Sequence, residues 1–135
     1  MMPKEINPKE SSRATAYELW MKARDPMVTF FKTLDVTNLL KVSKKSNLKF
    51  NMLLCYCIAK AAVRVEEFYI LPVGEKLMQY DTIAASTIVN NKRGGINFCD
   101  IPYAEDLEEF NRAYLKNTSW VCERCENIDL SGGSA

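Results

Sequence analysis

Residues 51–65, NMLLCYCIAKAAVRV, contain an unbroken apolar run from Met52 to Ala59 before Lys60 and Arg64 intervene. A helix made from that run is apolar on every side, and such a helix belongs in an interior rather than at a surface. The run is too short, and too soon interrupted by Lys60, to span a bilayer. The expectation is a central helix of a globular domain, with sheet on one side and other elements over the rest. Nothing in the run is catalytic on its face.

A chain of 135 residues, 47% hydrophobic and 26% charged, is long enough to bury a core around that helix as one domain. The formal net charge is +1 with acids and bases interleaved, so the chain lacks the basic footprint of a nucleic-acid binder. The opening MMPKEINPKE has no apolar signal core, which points to a cytoplasmic protein without membrane association. There are no histidines. Histidine is the usual base at neutral pH, so this chain uses another group, does no such chemistry, or lacks part of its machinery.

The order of elements follows from local signals. Asn7-Pro8-Lys9-Glu10 reads as a helix start, continued by Ala14, Tyr17, Trp20 and Met21 and stopped at Asp25-Pro26. Residues 28–34, VTFFKTL, have the β-branched and aromatic content of a strand. Thr37 is placed to cap a short helix over 38–45. Residues 68–73 and 76–80 flank Gly74-Glu75 as a hairpin, and 83–89 and 96–101 flank an Asn- and Gly-rich turn as a second one. Its glycines lack the spacing of a phosphate-binding loop. An amphipathic helix over 103–125 carries Tyr103, Leu107, Phe110, Tyr114 and Val121 on one face, with acids early and bases late as the helix dipole favours. The acidic run is a solvated helix start rather than a paired-carboxylate site. Helix, strand, helix, buried helix, several strands and helix make an α/β domain with a mixed or antiparallel sheet.

Cys55, Cys57, Cys99, Cys122 and Cys125 read as small buried hydrophobes rather than a disulfide framework. Cys122-Glu-Arg-Cys125 is a CxxC, but structural zinc needs four ligands, and neither a second CxxC nor a histidine exists to complete them. A redox CxxC opens a helix, where the dipole lowers the thiol pKa, whereas this one closes a helix. No metal is expected.

The succession of motifs resembles the chloramphenicol acetyltransferase family, within the CoA-dependent acyltransferase superfamily. Phe30-Phe31-Lys32-Thr33-Leu34-Asp35-Val36-Thr37 stands where the family has F-S-x-T-x-x-I-D-I-T. Lys49-Phe50, Tyr56, Ile58-Ala59 and Ala61-Ala62-Val63 match its next helix, and Pro102-Tyr103, Asp106, Phe110 and Tyr114-Leu115 match a P-Y-x-x-D-x-x-x-F-x-x-x-Y-L segment. Glu126-Asn127 is similar to an acidic-asparagine pair before the next core strand.

The resemblance implies a two-layer α/β sandwich and a single acyltransferase-like domain over 1–135 that lacks the C-terminal part of the fold. It also implies acetyl transfer from acetyl-CoA, a co-substrate rather than a bound cofactor, to a hydroxyl acceptor such as chloramphenicol, in a homotrimer. The family's catalytic histidine, in an H-H-x-x-x-D-G stretch, is absent here, so the chain alone is expected to be inactive. By the same resemblance, Trp20 and Val28 line the acceptor pocket and Arg13 is the arginine of a structural ion pair whose aspartate lies in that stretch. Ser131 stands as oxyanion stabiliser. The alternatives are a non-catalytic binding or oligomerisation protein and a dihydrolipoamide acyltransferase-like protein with a thiol acceptor.

The cysteine reading gives a direct test. Protein purified without chelator should contain well under one zinc per chain by elemental analysis, and stoichiometric zinc that resists dialysis would overturn it.

Overall fold

The computed structural model describes residues 3–131. Four α-helices, α1 (Ala14–Met21), α2 (Thr37–Ser46), α3 (Phe50–Ala62) and α4 (Leu107–Arg124), accompany five strands. The strands are β1 (Lys4–Ile6), β2 (Ile70–Val73), β3 (Lys76–Gln79), β4 (Ala84–Asn90) and β5 (Ile96–Pro102). They form two antiparallel sheets, one ordered β1-β3-β2 and the other the β4–β5 hairpin. The mixed α/β architecture with antiparallel sheet agrees with the sequence expectation.

Both hairpins sit where their turn residues put them. Gly74 adopts φ +61° between β2 and β3, and Gly94 adopts φ +83° between β4 and β5, backbone values that a side chain disfavours. In the second hairpin Thr87 faces Cys99 and Ile88 faces Phe98. Alternate residues therefore point to opposite sheet faces. On the inner face Cys99 and Ile101 of β5 meet Met52 and Leu53 of α3 and Phe110, Tyr114 and Val121 of α4. These seven buried side chains form the main core cluster. Past α4, Ile128 bridges to Cys99 in parallel, bringing the chain beside β5 as another strand would run.

Several local expectations change. Asn7 does cap, accepting from the Lys9 amide at 3.1 Å, but it caps only a 3-10 turn over Pro8–Glu10. Ser11 then donates its hydroxyl to the Pro8 carbonyl (2.8 Å) and accepts from the Arg13 amide (3.2 Å), so the backbone is diverted before α1 begins. Val36 holds the N-cap position of α2 without a side-chain cap, and Thr37 is tied back to Asp35, whose Oδ1 accepts from the Thr37 hydroxyl at 2.6 Å and the Thr37 amide at 2.9 Å. Those two bonds hold the Asp35 carboxyl below the ordinary carboxylate range. Helix α4 starts at Leu107, leaving Tyr103 on the approach to it.

Two corrections reach further. Residues 28–34 form no strand: the chain from Pro26 to Val36 has no regular structure, because no neighbouring strand offers it hydrogen bonds. Helix α3 is not buried all round either. Only Met52, Leu53 and Ala59 are buried, while Ile58 is 61% exposed. Its sequence calls for cover that the described residues supply on one side.

Core and bare apolar residues should respond very differently to truncation. Phe110→Ala should cost about 3–5 kcal/mol by denaturant unfolding. Phe31→Ala, removing a ring that touches almost nothing, should change stability by no more than about 0.5 kcal/mol.

Candidate functional site

A cavity of about 400 Å³ opens between α1 and the β2–β3 hairpin. Arg13, Ala16, Tyr17, Trp20 and Met21 supply one wall. Their spacing is that of a single helical face, so α1 presents them together. Pro72 and Leu77 form the opposite wall from the hairpin, and Pro26 and Val28 close one side. Two hydrogen bonds fix α1 against the hairpin. The Arg13 guanidinium donates to the Ile70 carbonyl at 2.6 Å, and the Tyr17 hydroxyl donates to the Glu75 carbonyl at 2.7 Å.

The walls are chiefly apolar, with Arg13 as their charged member, so the cavity suits an apolar or aromatic body with a polar substituent. Three of the four residues singled out in the sequence, Arg13, Trp20 and Val28, come together in it. Trp20 remains 40% exposed and Val28 53% exposed, so the cavity is open on that side.

Ser131 is not among the residues lining it. It lies beyond the Ile128 bridge, where its hydroxyl donates to Asp129 Oδ1 at 2.6 Å and its amide to the same oxygen at 2.8 Å. The hydroxyl bond, followed by the amide bond, keeps the Asp129 carboxyl below its ordinary range. The approach to Ser131 is held by side chains of and beside β5. Asp100 Oδ2 accepts from the Leu130 amide (2.9 Å), and Asn127 Oδ1 accepts from the Phe98 amide (3.1 Å) and the Asn97 side-chain amide (2.8 Å). The Gly132–Ala135 tail lies outside the described residues.

The sequence reading passed over Ala16, Tyr17, Met21, Pro26, Pro72 and Leu77 as lining. Tyr17 and Met21 share a helical spacing with Trp20 in the sequence, with no signal that they line a cavity. Pro72 and Leu77 carried no signal, since only tertiary packing brings the hairpin to α1.

Other reactive groups lie elsewhere. The Tyr103 hydroxyl donates to Glu105 Oε2 at 2.6 Å, and that bond, ahead of desolvation, pushes the phenol up to about 12. The same bond, with the nearby Lys60 charge, lowers the Glu105 carboxyl. Burial pushes the Cys99 thiol up to about 11, assisted by the negative charge of Asp100. Cys122 and Cys125 are half-buried, and among the described residues no group of three or more His, Cys, Asp or Glu is placed to hold a metal ion.

A family model described as "Chloramphenicol acetyltransferase" matches residues 4–130. The chain belongs to the chloramphenicol acetyltransferase family. Among solved structures, a chloramphenicol acetyltransferase matches with a TM-score of 0.74 at 17% identity, over 85% of this chain and 55% of that one. Identity that low speaks for the fold of the family alone, and this family member spans about half the length of its solved relative. No curated protein matches. No helix among the described residues is long and apolar enough to cross a membrane.

The thiol environments set an order of reactivity and a sign with pH. Exposed Cys57 should be alkylated first and Cys99 last, as peptide mapping after brief iodoacetamide treatment would reveal. Folding favours the protonated Cys99 thiol, so its contribution to stability is held at neutral pH and lost as pH rises from 9.0 towards about 11. Arg13→Ala should cost about 1.5 kcal/mol, the worth of a hydrogen bond from a charged donor.

Proposed function

We propose that this chain supplies the acceptor-binding part of a CoA-dependent O-acetyltransferase. The observation that carries the reading is the convergence of Arg13, Trp20 and Val28 on one apolar cavity: the family resemblance assigns Trp20 and Val28 to the acceptor wall and Arg13 to a structural ion pair. The acceptor is a hydroxyl compound with an apolar or aromatic body, of which chloramphenicol is the family's example, and acetyl-CoA is the donor. In this reading the protein works in the cytoplasm, as a homotrimer, in antibiotic resistance. Residues 1–135 act as one acyltransferase-like domain, requiring the remainder of the family fold to complete the site.

The chemistry defines what each part does. The acceptor oxygen attacks the thioester carbonyl, and its proton passes to a base as the new C–O bond forms. The tetrahedral intermediate collapses with cleavage of the C–S bond, and CoA leaves as its thiol after taking up a proton. Ser131 is proposed as the donor to the oxyanion of that intermediate. In the arrangement described, its hydroxyl is turned to Asp129 and must rotate away to serve that role. With no histidine in the sequence, the base comes from a segment this chain does not contain.

The same lack of histidine favours a second reading for the chain by itself, a non-catalytic acyltransferase-like binding protein. Turnover separates the two. Residues 1–135 alone should release no CoA thiol from acetyl-CoA above background with chloramphenicol present, since loss of the base costs about a hundred- to ten-thousand-fold in rate. When a segment carrying HHxxxDG is joined to the chain, acceptor-dependent release should appear. Ser131→Ala should then lower kcat by about a hundred- to a thousand-fold. Robust turnover by the chain alone would refute the assignment of the base, and persistent inactivity of the joined protein would favour the binding reading.

A further inference from the structure

The chain that leaves α4 is joined to β5 by very little backbone pairing. Among the described residues one parallel bridge connects Cys99 and Ile128. The Ile128 amide donates to the Phe98 carbonyl at 3.2 Å, and the Asp100 amide donates to the Ile128 carbonyl at 3.0 Å. Two such bonds, each offset against water, hold an extended chain weakly. Beside the bridge runs a series of three asparagines.

Backbone amides fix the direction of that series at both ends. In the β4–β5 turn the Arg93 and Gly95 amides donate to Asn91 Oδ1, each at 3.0 Å. Asn91 therefore turns its Nδ2 outward, where it donates to Asn97 Oδ1 at 2.8 Å. At the far end the Phe98 amide donates to Asn127 Oδ1 at 3.1 Å, and the same oxygen accepts from Asn97 Nδ2 at 2.8 Å. A carboxamide has one donor end and one acceptor end, so Asn97 fits between its neighbours in a single orientation. Gly95 belongs to the same construction. A Cβ there would stand 3.1 Å from Asn91 Nδ2, so the glycine leaves room for the side chain that begins the series.

The turn reaches α4 by a separate route. The Lys92 amide donates to the Cys122 carbonyl at 3.1 Å, and Lys92 Nζ pairs with Glu123 at 3.2 Å. Cys125, at φ +56°, closes the helix, and Asn127 meets Asn97 two residues later. These ties close a ring from the end of α4 through the turn and the three asparagines back to the chain leaving α4. Ser131 follows Asn127 by four residues.

We propose that the Asn91–Asn97–Asn127 relay fixes the 127–131 stretch on β5 from the β4–β5 turn, which makes Asn91 and Asn97 positioning residues for the Ser131 hydroxyl. The anchoring stands on the bonds above, and its bearing on acetyl transfer rests on the role proposed for Ser131.

Three substitutions that each add one carboxylate separate the relay from a charge effect. Asn97→Asp removes the donor to Asn127. Asn91→Asp keeps the oxygen that holds the turn and removes the donor to Asn97. Asn127→Asp keeps the acceptor that Phe98 and Asn97 share. Amide exchange of the chain, read residue by residue by NMR, should quicken about five- to ten-fold at Phe98, Asp100 and Ile128 in Asn97→Asp. The increase should be smaller in Asn91→Asp and absent in Asn127→Asp, while the Phe110 and Val121 amides of α4 keep their rates in all three. In the protein joined to the HHxxxDG segment, Asn97→Asp should lower kcat by about ten-fold or more with KM little changed, and Asn127→Asp should retain kcat.

Unchanged exchange in Asn97→Asp would overturn the relay. So would an equal increase in Asn127→Asp, which would make added charge the cause, or an increase that spreads equally to Phe110 and Val121, which would make Asn97 a residue of general stability. Faster exchange with kcat intact would uphold the anchoring and remove Ser131 from the chemistry, so the two readings fail by different results.

Discussion

The packing of Phe110 against Met52 and Ile101 is the contact on which the described fold depends, because it is where α4, α3 and β5 meet. Each element has one apolar stripe and cannot bury it alone. Burial of all three residues, with Cys99 and Val121 beside them, turns two helices and a hairpin into a sheet with a helical layer. Asn51 joins the cluster's edge by donating to both the Thr87 hydroxyl (2.9 Å) and the Tyr114 hydroxyl (3.0 Å), tying α3 to β4 and α4. A buried polar tip such as that of Tyr114 is tolerated because it is paired.

Farther from that core, order is supplied by individual polar bonds. Helix α1 buries no residue, and its seat on the β2–β3 hairpin rests on the Arg13 and Tyr17 hydrogen bonds and on the apolar cavity between them. A cavity held this way has one wall in the antiparallel hairpin and one wall secured by two bonds. The segment before Ser131 is secured in a similar manner, by Asp100 and Asn127 accepting from backbone amides on two neighbouring stretches. The cavity wall on α1 and the stretch before Ser131 are thus each positioned by side chains that are themselves not buried.

The distribution of exposed apolar residues gives the family relationship a physical meaning. Ile58 on α3, Phe30 and Phe31 before α2, and Ile88 and Ile96 on the hairpin are on three different elements, and all are bare. An apolar surface of this extent is characteristic of a region that packs against more protein. A fold spanning 55% of its solved relative leaves room for that packing.

The sequence by itself determined the elements whose signals are local. Gly74 and the Asn- and Gly-rich turn located both hairpins, the spacing of Phe110, Tyr114 and Val121 fixed the buried face of α4, and the ordered motifs pointed to the family. Two kinds of feature were decided only by tertiary structure. Residues 28–34 have strand propensity, but a strand exists only where another strand completes its hydrogen bonds, and propensity carries no information about a partner. The apolar run in α3 states how much surface wants cover, while packing with β4 and α4 decides that Met52, Leu53 and Ala59 receive it and Ile58 does not. The cavity follows the same rule. Trp20 and Val28 stand at pocket positions of the family pattern, whereas Pro72 and Leu77 line the cavity because the hairpin folds back on α1, a contact between residues far apart in the chain.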